Sequence, residues 1–162
     1  MKFEPSETVT REFWDHLVSI FPLDHETHGK CHWLRVLRNG REIAAATGAN
    51  LRVVELFAVL HDSKRENNDH DPQHGPRAAE YARSLCGEWF ELDVQELDAL
   101  CRACELHANG LTADADPTVL ACWDSDRLDL GRVCIVPDPK RLCTQYAKRK
   151  DVLEAAYERS LK

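Results

Sequence analysis

Two imidazoles and two carboxylates are spaced along the chain in a pattern that could ligate a hydrated divalent metal. They are His32 in the string His32-Trp33-Leu34-Arg35-Val36, the pair His61-Asp62, and Asp124 in Trp123-Asp124-Ser125-Asp126. His61-Asp62 closes an apolar run from Leu51 to Leu60, and Asp124 closes a second one. A carboxylate emerging from a segment that must be buried is costly unless positive charge meets it. Neutral imidazole nitrogen with carboxylate oxygen, and no thiolate, favours Mn, Fe, Co, Ni or Mg over structural zinc. Four protein ligands leave about two positions of an octahedral ion for water and a substrate oxygen, as metal-assisted hydrolysis requires.

Helices would have to bring these groups together. Apolar spacing predicts a first helix from about Glu7 to Phe21, stopped by Pro22, and a second from near Thr27 to Gly48. Asn50 can cap a third, Leu51 to His61, apolar on most sides and therefore central. Residues Ser63 to Gln73 are dense in charge and read as an exposed loop. A fourth helix is expected from about His74 to Cys86. A fifth starts at Asp93, whose spacing to Glu96 is that of a capping box, and reaches about His107. Asp116-Pro117 introduces a sixth, Thr118 to about Leu128, and a final amphipathic helix is expected over about 140–161. No alternating pattern of useful length occurs. The fold class is all-α: one domain over 1–162, a bundle of about six to seven helices whose interior can hold a metal.

At 162 residues the chain can bury one substantial core. No apolar run approaches the roughly 20 residues that span a bilayer, and the first residues lack a signal-peptide profile, so a cytoplasmic location without membrane contact is expected. A net charge of −7 argues against stable nucleic-acid binding but leaves room for a small phosphorylated ligand. Cys101 and Cys104 lie on an apolar helical stripe and read as buried, reduced thiols. Oligomeric state is not readable.

The order His32, His61-Asp62, Asp124 resembles the H…HD…D signature of the HD-domain metal-dependent phosphohydrolases. The likeness spans about residues 28–130. It includes the H-x-x-R-V context of His32 and the string Asp124-Ser125-Asp126-Arg127-Leu128-Asp129, similar to the family's D-A-D-R-L-D. The resemblance implies an all-α fold, a divalent metal and hydrolysis of phosphate esters, often of nucleotides. By position it makes His32, His61, Asp62 and Asp124 the ligands. Family members with two metals use further histidines between the HD pair and the last Asp, and His74 and His107 lie in that interval. Both are candidates as ligands to a second ion or as substrate contacts.

Glu66 is the leading general acid/base, because some relatives use an acidic residue shortly after the HD pair. Lys64 and Arg65 follow that pair closely enough to bind phosphate, Arg best through its planar fork. Arg77 could join them in stabilising developing charge. Arg35, one turn from His32, and Arg127, three residues past Asp124, could touch substrate or neutralise carboxylates. His28 falls at a frayed helix start, while His16, His25 and His70 read as surface residues. Trp33, Trp89 and Trp123 read as core before base-stacking groups. Two rival readings stand beside hydrolysis: a non-catalytic nucleotide-binding regulatory domain, and an HD-type di-iron oxygenase that would need His74 and His107.

Overall fold

Short polar side chains start four of the helices, the first of them at Arg11 and not near Glu7. Thr10 accepts the Phe13 N–H at the head of α1 (Arg11–Ile20). α2 (Lys30–Thr47) stops at Gly48, whose φ of 75° suits a residue without Cβ. Asn50 accepts from Arg52 and Val53 and opens α3 (Leu51–Leu60). α4 (His74–Leu85) follows, then α5 (Val94–Leu106), where Asp93 and Glu96 form the reciprocal capping box. Asp116 caps α6 (Pro117–Arg127), and α7 (Lys150–Ser160) ends the chain. The structure, a computed structural model, describes all residues except 25 and 26, so His25 lies outside the described residues. Among those described there are seven α-helices and no β-strand, an all-α bundle.

α3 is the central element, buried without interruption from Val53 to Leu60, with α2, α5 and α6 packed against it. Two glycines set the close approaches that matter for the site. A Cβ on Gly40 of α2 would stand 2.5 Å from Val54 Cγ1 on α3. A Cβ on Gly75 of α4 would meet the backbone oxygens of Cys104 and Glu105 at 2.6 and 2.8 Å. Gly75 therefore lets the start of α4, with His74, lie directly against the end of α5, beside His107. Trp33 and Trp123 are fully buried core residues, and Trp123 Nε1 donates to Ala103 O. Cys101 and Cys104 are buried and unbridged, with thiol pKa values pushed up by burial. No described helix is long and apolar enough to cross a membrane.

Two further expectations need correction. The last helix begins at Lys150, not near residue 140, because a buried carboxylate claims the backbone ahead of it. Asp124 accepts from the N–H groups of Cys143 and Thr144, both at 2.7 Å, and from Thr144 Oγ1 at 2.8 Å. A helix through this stretch would need the Thr144 N–H for its own ladder. The charged loop after the HD pair is likewise not wholly exposed: Ser63, Arg65 and Asp71 are buried, with Arg77 Nη2 on Asp71 Oδ2 at 2.6 Å.

Candidate metal centre

Five elements deliver donor atoms to one place. α2 brings His32 in its first turn, the end of α3 brings His61 and Asp62, α4 opens with His74, α5 hands over to His107, and α6 supplies Asp126 in its last turn. His32 Nε2 and His61 Nε2 are 3.0 Å apart. Asp62 Oδ2 lies 3.7 Å from each, and Asp126 Oδ1 lies 3.3 and 3.7 Å from them. On the other side of the Asp62 carboxylate, His74 Nε2 and His107 Nε2 are 2.8 Å apart, at 3.4 and 3.6 Å from Asp62 Oδ1. Asp62 thus stands between two donor groups, one on each oxygen.

The opposite ring nitrogens fix which atom holds the proton. His61 Nδ1 faces Phe57 O at 3.1 Å, His107 Nδ1 faces Cys104 O at 2.6 Å, and His74 Nδ1 faces Asp71 O. His32 Nδ1 faces Asp129 Oδ2 at 2.7 Å. A carbonyl or carboxylate oxygen only accepts, so each Nδ1 carries hydrogen and each neutral ring turns a bare Nε2 lone pair inward. Asp62 Oδ1 and Asp126 Oδ1 are buried with no hydrogen-bond donor. Lone pairs aimed at one another around orphaned carboxylate oxygens need an electron-pair acceptor. A divalent cation fits that need, and oriented second nitrogens are the usual support of histidine ligands.

Charge follows the same logic. Burial alone would raise the Asp62 carboxyl, yet His61 and the neighbouring imidazoles hold it well below the usual carboxylate range. Asp126 is likewise lowered against its burial, by His32, His61 and Arg132. Burial lowers the His61 pKa to about 3. Burial also opposes charge on His107, but Asp62 beside it raises that pKa above the ordinary value. For the metal-free protein the His61 shift fixes a sign: the unfolded chain takes a proton near pH 6.5 and the folded one only near pH 3. Stability is therefore complete above 6.5 and falls with acidification, by about 2 kcal/mol between pH 6.5 and 5 from this ring. His107 acts with the opposite sign, but its contribution is complete below 6.5 and cannot offset the loss. Thermal unfolding at pH 7, 6 and 5 should show a falling midpoint, and a flat one would contradict the burial of a neutral His61.

The structure sorts the expected residues. His32, His61 and Asp62 come together as anticipated, and His74 and His107 join them. Asp124 does not: both its oxygens are spent on residues 143 and 144, and Asp126 takes the position facing the imidazoles. Glu66 is an exposed side chain outside the buried cluster, 3.7 Å from Arg77, so the acid/base role expected for it has no geometric support. Lys64 lies over the Tyr81 ring, its Nζ 3.6 Å from the centroid. Arg77 bonds Lys64 O and Asp71, which braces the loop and leaves it away from the donors. Arg65 is at the centre: its Nη1 lies 3.2 Å from His74 Nε2 and 3.5 Å from Asp62 Oδ1. Arg35 donates to Asp129 Oδ1 at 2.6 Å and so holds the residue that holds His32. Arg127 donates to Arg141 O and touches Cys143 Sγ, bracing the segment that Asp124 also grips.

Four contributors escaped the sequence reading as site residues. Asp126 and Asp129 stand in the string that carries the family resemblance, but the sequence assigns neither a role. His28, dismissed as part of a frayed turn, is buried with Nδ1 2.9 Å from Asp62 Oδ2. Arg132 donates to Thr27 O and Asp129 O and lies 3.7 Å from Asp126 Oδ1. The usable signal was the doubled D-x-D string itself, which offers a second carboxylate about 200° further round the helix.

No family model matches the chain, and no curated protein matches it. Among solved structures it is similar to a crystal structure of a predicted HD superfamily hydrolase from an uncultured Thermotogales bacterium. The identity is 25% and the TM-score 0.71, over 91% of this chain and 84% of that one. The donors keep the H…HD…D order along the chain. The chain therefore has the HD-domain fold, built around a buried His/Asp cluster that could hold a metal ion.

Proposed function

We propose that the chain is a divalent-metal-dependent hydrolase of phosphate esters, with nucleotides and related small phosphorylated metabolites as its substrate class. The observation that carries this reading is the set of inward Nε2 lone pairs around two carboxylate oxygens without donors. Bound there, a divalent ion of the Mn, Fe, Co, Ni or Mg group supplies Lewis acidity toward the phosphoryl group and a nucleophilic water near neutral pH. The residues of the chain orient and neutralise. Arg35 and Arg132 fix Asp129, which fixes the His32 ring. Asp62 favours the charged form of His107, so this ring, unlike neutral His61, can hold a proton on Nε2 in place of a lone pair and give it to a departing alkoxide, the role that exposed Glu66 cannot fill.

Arg65 bears on how many ions the centre takes. Its Nε and Nη2 are tied to Asn67 O and Asp69 O, which keeps the guanidinium beside His74 and Asp62 Oδ1. A fixed positive charge there opposes a dication between His74 and His107 and offers a fork for phosphoryl oxygens. One ion per chain is expected by elemental analysis after dialysis against Mn2+, rising to two in Arg65→Ala. Two ions in the unaltered protein would contradict this role.

A release assay across several metals, with nucleotides and generic phosphate esters, tests the function. Metal-dependent phosphate release that disappears in Asp62→Ala, with helical content retained, is the expected result. Metal binding without turnover of any ester would favour the regulatory domain. The carboxylate of Asp62 placed between two donor groups also suits two irons and oxygen activation. That reading needs Arg65 displaced, and an iron assay with an optical spectrum identifies it.

A further inference from the structure

A cavity of about 350 Å³ opens beside the cluster, and it shares His107 and Asp126 with it. Its volume is at the lower end of the range of small-molecule sites, roughly 300–1,000 Å³. Asp126 is also where the cluster is most open: 13% of its side chain is exposed, against 0% for His32 and His61. The cavity gives a ligand a route to the inward donors along this side. Leu130, Ile135, Val136, Pro137 and Leu142 give its lining a largely apolar surface, alongside the charged Arg127, Asp138 and Arg141.

The wall is unusual in being wet. Of the cavity's lining residues, Ile135 and Val136 are exposed large apolar side chains, at 51% and 67%, with exposed Val133 close by in the chain but outside the lining. Single exposed apolar residues need no explanation, but a group at the rim of a cavity next to reactive groups marks a binding surface. We infer that this cavity receives the leaving group of the substrate, and that the substrate is a phosphate ester whose alcohol presents a hydrocarbon-rich body. The inference rests on the proposed hydrolase reading and narrows its substrate class, away from nucleotides and toward small phosphate esters of apolar alcohols. With the phosphoryl group at the Asp62–Asp126 donors, the ester oxygen points toward His107 and the alcohol lies along Leu130, Ile135 and Val136. His107 Nε2 then borders both the donors and the leaving group.

Calorimetric titration of the Mn2+-loaded protein with n-alkylphosphonates, from methyl to octyl, reads the wall without needing turnover. The Kd should fall by about three- to fourfold per added methylene over the first several carbons, then level off as the chain outgrows the cavity. In the double variant Ile135→Asn/Val136→Asn, both positions being exposed and so tolerant of the change, the gain per methylene should drop below about twofold. A series in which affinity does not change with chain length overturns the inference, as does a slope unaltered by the double variant. Failure of every phosphonate to bind also overturns it. Whether the hydrolase reading falls with it is read separately, from phosphate release in the metal screen.

Discussion

Asp126→Ala should empty the metal centre while leaving a folded protein. Its Oδ1 lies 3.3 Å from His32 Nε2, is buried, and has no donor in the chain, so an ion is the partner it lacks. Loss of groups that merely orient metal ligands lowers affinity by about 10–100-fold, and loss of a ligand should cost at least the upper figure. Arg132, the cation nearest Asp126, keeps Thr27 O and Asp129 O as acceptors, so no buried charge is stranded. Calorimetric titration with Mn2+ measures the first effect and circular dichroism the second. Retained Mn2+ affinity would remove Asp126 from the site.

Asp124→Ala should do the reverse. Its carboxylate is fully buried and takes three hydrogen bonds from Cys143 and Thr144. Truncation leaves two backbone N–H groups and a hydroxyl facing an apolar gap, at an expected cost of about 3–5 kcal/mol. For a domain of this size that lowers the melting midpoint by about 10 °C or more. The segment 142–147 should loosen first, since Leu142 and Ala147 are buried only while the turn at Thr144 is held. The folded fraction should still bind Mn2+. A stable variant that has lost its metal would show that the roles of the two aspartates are the other way round.

The contrast between these aspartates shows what the sequence can and cannot reveal here. Helix positions were legible because caps act locally: Asn50, Asp93 and Asp116 announce α3, α5 and α6 without reference to the rest of the chain. His61 and Asp62 were legible because they close the strongly apolar α3, and His32 because of its H-x-x-R-V context. The choice between Asp124 and Asp126 was not, because α6 is buried from Thr118 to Ser125 on nearly all sides and its pattern has no preferred face. Only the long-range contact with residues 143 and 144 decides it. The same contact shortens the last helix, so one tertiary interaction accounts for both errors. His28 was missed because a residue before a helix has no periodic partner, and its burial depends on Asp62, 34 positions away. Glu66 failed for the opposite reason: proximity in sequence to the HD pair does not turn a loop side chain inward, and the buried place there belongs to Arg65.

Anomalous diffraction from crystals soaked in Mn2+ tests the metal centre most directly. A peak is expected at about 2.0–2.3 Å from His32 Nε2, His61 Nε2, and one oxygen each of Asp62 and Asp126, with Asp124 still bonded to Cys143 and Thr144. No peak between these four side chains, or one ligated by Asp124, would contradict it.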